Sequence, residues 1–183
     1  AKGELRAVAP GAAIGGEGGT PVPAAWISEY FEGLEKTGIS INFGTYFSET
    51  QARTAVLGNT ARAPNAEELV KMQAILETAM QAGAMGMTTA LIYPPSSFAT
   101  TDELVEMAKV AAKYGGIYAT HMRDEGKELI AAIEEAIAIG AQTIWMQLGI
   151  INGEAAEHAI AAGLDVVMNR CPKIEYGRLS SEI

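Results

Sequence analysis

A chain of 183 residues is long enough for one α/β domain with a real core, since a domain of this size buries roughly 70% of its unfolded surface. Net charge of −9 and an isoelectric point near 4.7 exclude the basic patch on which nucleic-acid binding rests. A single cysteine excludes an internal disulfide and every cysteine-rich zinc pattern, and no apolar run approaches the ~20 residues of a membrane span. The lone cysteine fits a reducing cytosol, and Ala1-Lys2-Gly3-Glu4 has no signal-peptide layout, so a cytoplasmic protein is expected.

Along the chain, helix and strand signals alternate. The first ~20 residues read as loop from their Gly and Pro content, with Glu4–Val8 as a candidate edge strand. A helix is predicted from about Ala24 to Lys36, with Trp26, Ile27, Tyr30, Phe31 and Leu34 on one face and Gly38 as its stop. A strand follows at 39–46, then a short helix at 53–57. Asn65 and Glu68 have capping-box spacing before Leu69, Met72, Ile75, Leu76, Ala79 and Met80 at helical period. A strand at about 85–93 ends at Pro94-Pro95. Thr100 and Glu103 repeat the capping-box spacing ahead of Leu104, Met107, Ala108 and Ala111, and Gly115-Gly116 closes that helix. Strand 117–122, helix 127–139 capped by Gly140, strand 143–148, a short helix capped by Asn152 and strand 164–168 complete the order. Five strands alternating with helices over short loops predict a parallel α/β sheet with right-handed crossovers, its strands side by side in chain order.

Two stretches of text carry family resemblance. Ile41-Asn42-Phe43-Gly44-Thr45-Tyr46, Arg62-Ala63-Pro64, the run from Ala90 to Leu104, and Thr120-His121-Met122-Arg123-Asp124-Glu125-Gly126 resemble the central part of N-acyl-D-amino-acid deacylases of the amidohydrolase superfamily. That resemblance covers residues 1–140 and implies part of a TIM barrel and zinc-dependent amide hydrolysis. Thr143-Ile144-Trp145-Met146-Gln147-Leu148-Gly149 and the run from Val166 to Glu175 resemble the C-terminal part of a coenzyme A-binding protein with a flavodoxin-like, Rossmann-like fold. That resemblance covers residues 141–183, and the two meet in or just after Glu134–Gly140. The expectation is therefore a single chimeric domain spanning 1–183: a partial TIM barrel continued by a flavodoxin-like βαβ unit. Since each portion lacks most of its own site, the chain reads as a designed, recombined structural chimera that is not an enzyme. The alternatives are a residual zinc-dependent amidohydrolase and a weak binder of coenzyme A or phosphate.

The deacylase resemblance implies a metal held by a His-x-His pair on the first strand, histidines on the fifth and sixth, and a late aspartate. His121 matches the fifth-strand histidine. No counterpart of the others is present, and the strand at 143–148 has no histidine. A catalytic zinc needs about three protein ligands, so His121 reads as vestigial rather than as a metal ligand working with Asp124, Glu125 or Cys171. His158 matches no motif. Asp124 and Glu125 could act as general acid or base, but carboxylates at a helix start also suit its dipole. Arg123 could clamp a carboxylate; the preferred reading is a surface pair with Asp124 or Glu125. In the second portion the Gly-rich phosphate loop of the parent fold is absent, and Gly15–Gly19 is no substitute. Gly149 and Asn152, in the turn before the last predicted helix, remain as a weak anion site. Cys171 reads as an ordinary terminal cysteine. No cofactor is expected, with zinc and coenzyme A as the alternatives. An open, largely apolar sheet face predicts a homodimer, with neither nucleic acid nor membrane as a partner.

Overall fold

The computed structural model describes residues 26–180. The predicted edge strand at Glu4–Val8, the Gly15–Gly19 loop and the start of the first helix lie outside them.

The parallel α/β class is as expected. The described elements are α1 (Trp26–Thr37), β1 (Phe47–Ser48), α2 (Glu49–Leu57), α3 (Ala66–Gln81), β2 (Gly86–Ala90), α4 (Thr101–Lys113), β3 (Ile117–His121), α5 (Leu129–Ile139), β4 (Thr143–Trp145), α6 (Gly153–Ala161), β5 (Asp165–Val167) and α7 (Pro172–Leu179), with a 3-10 turn at Ser96–Phe98. Every strand pairing is parallel. The strands nonetheless divide, with β1-β2-β3 in one sheet and β4-β5 in another.

The predicted strand at 39–46 is the largest local difference. Its apolar side chains do not line a sheet: Ile41 is 70% exposed, and Phe43 turns to the rings of Tyr30 and Phe31 on α1. Ladder pairing reaches only Phe47 and Ser48, opposite Met87 and Thr88. α7 is a further difference; Pro172 at its first turn has the fixed φ that suits a helix start.

Side-chain alternation gives the larger sheet two unlike faces. Phe47, Met87 and Tyr118 point toward α3 and α4, where Met72, Leu76, Ala79, Met107 and Ala111 are buried in the same core. Thr89 lies on this face without loss, because its hydroxyl pairs with Tyr118 Oη at 2.7 Å and Thr120 Oγ1 at 2.6 Å. The other face carries Ser48, Thr88, Ala90, Ile117, Ala119 and His121, and no described helix covers it. Gly86 holds this sheet together closely: a Cβ there would lie 1.9 Å from the Ile117 carbonyl oxygen. The smaller sheet packs Ile144 and Val166 on α5 and α6 through Leu129, Ile133, Ala136 and Ala155.

Caps follow local chemistry. Asn65 accepts from Glu68 N and Glu68 accepts from Asn65 N, completing a capping box. Thr100 accepts from Glu103 N, but the Glu103 carboxylate turns into the core to meet Arg53. Gly140 ends α5 in the left-handed region at φ 89°.

Candidate active site at the strand ends

His121 is the last residue of β3, on the bare face and at the C-terminal end of the parallel strands, where loops of α/β folds place their chemistry. Its side chain is 43% exposed. Nδ1 stands 3.2 Å from the Met122 carbonyl oxygen, and Nε2 stands 3.3 Å from Glu125 Oε1. The carbonyl beside Nδ1 orients the ring and leaves Nε2 facing the Glu125 carboxylate. The Tyr93 ring lies 6.4 Å from the imidazole, centroid to centroid. Tyr93 comes from the loop after β2, and Leu91 N donates to His121 O at 3.0 Å to hold that loop beside β3.

Asp124 is in the turn that enters α5. Its Oδ1 accepts from Gly126 N at 2.6 Å and Glu128 N at 3.1 Å, so it works as a turn cap. Arg123 departs from the expected surface pair. It reaches past its neighbours to Glu135 on α5, with Nε 3.0 Å from Oε2 and Nη2 2.8 Å from Oε1. The reason is burial: Glu135 is only 10% exposed and needs a cation, whereas Asp124 is already satisfied by backbone amides. Arg123 also borders an open cleft of about 370 Å³, lined by Thr101, Asp124, Glu128 and Glu135.

Among the described residues, no three His, Cys, Asp or Glu side chains converge as a metal site. His121 and Glu125 are a pair without a third partner. Cys171 lies before α7, and His158 on α6 faces Glu134 at 3.6 Å. The turn before α6 uses its amides internally. Gly149 N donates to Asn169 Oδ1 at 2.8 Å, Asn152 N to Met168 Sδ at 3.3 Å, and the Asn152 side chain caps Ala155 N.

A second charged cluster has no counterpart in the motifs above. Glu49, Arg53 and Glu103 are all buried. Arg53 Nη1 lies 2.6 Å from both Glu103 oxygens, and Nη2 reaches the carbonyls of Arg62 and Thr60. Neither Glu49 oxygen has a hydrogen-bond partner. Burial first, then the charge of Glu103, push the Glu49 carboxyl up to about 8. The spacing of 50 residues between Arg53 and Glu103 leaves no local signature.

Comparison with known proteins places this geometry. A family model for a CoA binding domain matches residues 124–177. The chain is 39% identical over 115 residues to D-aminoacylase of Alcaligenes xylosoxydans xylosoxydans, covering 63% of this chain and 24% of that protein. A D-aminoacylase structure, solved to define the role of its binuclear metal centre, superposes with a TM-score of 0.66 at 31% identity over 80% of this chain and 34% of the other. N-acyl-D-glutamate deacylase from Bordetella bronchiseptica, complexed with zinc and a phosphonate inhibitor, superposes with a TM-score of 0.65 at 28% identity, over 78% and 33% of the two chains. The chain thus spans about a quarter of the length of the curated relative it matches.

These findings overturn three expectations. The proteins it resembles in sequence and fold are deacylases, against the expectation of an inert designed chimera. The proteins it resembles are enzymes, against the expectation that it is not one. They also hold metal, against the expectation that no cofactor is involved. The resemblance to a deacylase in one portion and to a CoA-binding protein in the other stands. No described helix is long and apolar enough to cross a membrane.

Proposed function

We propose that the strand ends of the larger sheet serve in metal-dependent hydrolysis of N-acyl-D-amino acids. The observation that carries the reading is the joint likeness in sequence and fold to D-aminoacylase, at 39% identity and a TM-score of 0.66. His121 supports it by its place: an accessible imidazole at the C-terminal end of a parallel strand, on the face no described helix covers.

The described residues do not by themselves fit a catalytic metal, which takes about three protein ligands where only His121 and Glu125 stand together here. A working centre would need at least one further ligand beside this pair. Asp124 Oδ1 is committed to its turn.

The test is segment exchange. Residues 26–140 replace the matching segment of D-aminoacylase, and release of D-methionine from N-acetyl-D-methionine is followed with zinc present. The expected result is turnover that falls at least ~10–100-fold on His121→Ala, the range seen on losing even an outer-shell partner of a metal. A folded, zinc-loaded hybrid without turnover overturns the proposal.

The family match over residues 124–177 supports a second reading for that portion, contact with coenzyme A. Gly149 and Asn152 offer little to it, since their amides are already engaged. Isothermal titration with coenzyme A tests it; absence of heat at millimolar ligand refutes it.

A further inference from the structure

We infer that Arg123 is a positioning residue, whose guanidinium locks the turn carrying His121 to the loop carrying Tyr93. The inference deepens the hydrolytic reading, and only its kinetic arm rests on that reading.

Arg123 follows β3 by two residues and gathers three separate elements. Nη1 donates to Ser97 O at 2.7 Å and Nη2 to Ala99 O at 2.7 Å, both in the segment between β2 and α4. Nε and Nη2 form the two bonds to Glu135 on α5. Glu135 Oε1 also accepts from Thr101 Oγ1 at 2.9 Å, at the first turn of α4. Four of the five guanidinium donors are therefore spent within the protein. An arginine so committed is poorly placed to hold a substrate carboxylate, and well placed to fix what lies beside it.

What lies beside it is the His121–Tyr93 pair. The loop that starts after β2 is pinned to β3 at its near end by Leu91 N donating to His121 O. Arg123 pins its far end. Between the pins, Ser97 N donates to Tyr93 O at 2.9 Å, so the position of Ser97 is passed directly to Tyr93. Leu91, Ala99 and Leu104 form a small buried cluster with Ile139 in the same region, but apolar packing does not fix carbonyl direction as a planar fork does. Lysine, a point charge on a flexible stem, cannot span two carbonyls and a bidentate carboxylate at once.

The experiment compares Arg123→Met, Arg123→Lys and Glu135→Gln with Lys113→Ala, a remote surface change that removes the ion pair to Glu77 and the contact with the Tyr114 ring. The first readout is the nuclear Overhauser contact between the Tyr93 and His121 rings in the 183-residue chain. It is expected to vanish in Arg123→Met, to weaken in Arg123→Lys and Glu135→Gln, and to persist in Lys113→Ala. A folded Arg123→Met or Glu135→Gln protein with the contact at its original intensity overturns the inference. Should Arg123→Met fail to fold, Glu135→Gln decides the question in its place. The second readout is kinetic, in the segment-exchange hybrid: kcat falls ~100-fold in Arg123→Met while KM stays, as expected for a reacting geometry displaced by about 1 Å. A rise in KM with kcat retained would place Arg123 on the substrate and overturn it. An inactive hybrid would sink the hydrolytic reading alone, because the ring contact is read without turnover.

Discussion

Replacing Glu49 with glutamine should abolish a large alkaline loss of stability. Glu49 begins α2, is 0% exposed, and has both carboxyl oxygens without partners beside the Arg53–Glu103 pair. Its folded-state pKa is raised from 4.5 to about 8, chiefly by burial, secondly by the charge of Glu103, against the smaller favourable pull of Arg53. Between those two values the folded protein holds a proton that the unfolded chain has released, so stability falls as pH rises through that window. Below the unfolded value there is no penalty, and above about 8 the whole penalty is present. At ~1.4 kcal/mol for each unit, the full window amounts to ~5 kcal/mol. Glutamine is neutral throughout and nearly isosteric, so Glu49→Gln removes this dependence while keeping the volume. The assay is urea unfolding of both proteins at several values from about pH 5 to about pH 9. The advantage of the variant over the original should widen by ~1.4 kcal/mol per pH unit until near the folded pKa and then level off. Parallel stability curves would refute the reasoning: they would mean that Glu49 is ionised at no cost, with a partner or water supplying what burial removes.

Four further outcomes follow from the packing. Gly86→Ala should cost ~3 kcal/mol or more in urea unfolding, because its Cβ meets the Ile117 carbonyl and φ is 154°. Leu76→Ala, at a site with 0% exposure between α3 and the sheet, should cost ~2–5 kcal/mol by the same measurement. Asn65→Ala should cost ~1 kcal/mol through loss of the α3 cap, with its largest effect on amide exchange in the first turn. Light scattering tests association of two copies through the bare sheet face; a mass fixed at 19.2 kDa across a concentration series rules it out.

How much of this was legible beforehand depended on the range of each interaction. The Asn65 box was readable because both partners lie within one turn. Thr100 and Glu103 have the same spacing, yet Glu103 answers to Arg53 on another helix, a partner no local window contains. The segment 39–46 has strand-like residues, but Phe43 turns to the rings of Tyr30 and Phe31 on α1, and β1 shrinks to two residues. The position of His121 at a strand end was readable from the apolar run before it and the turn after it. Its surroundings were not, since Tyr93 and the carbonyls that hold Arg123 arrive from another loop. The open face also differs from the largely apolar surface expected. Near the strand ends it presents small and polar groups, Ser48, Thr88, Ala90 and Ala119, while Ile117 lies at the opposite end.

The division into two sheets has a consequence for how the chain meets other chains. Among the described residues, β3 is an end strand of the larger sheet, and both strands of the smaller one are end strands. Each offers a row of amide and carbonyl groups to any extended segment that approaches. Proteins commonly guard such rims with lysine, proline or a bulge; the sequence of β3, Ile-Tyr-Ala-Thr-His, has none of these. A parallel neighbour from the same chain needs a crossover of a dozen or more residues, whereas a foreign strand needs no connection at all. Among the described residues, β3 is therefore an end strand whose own sequence carries neither lysine nor proline to guard its rim.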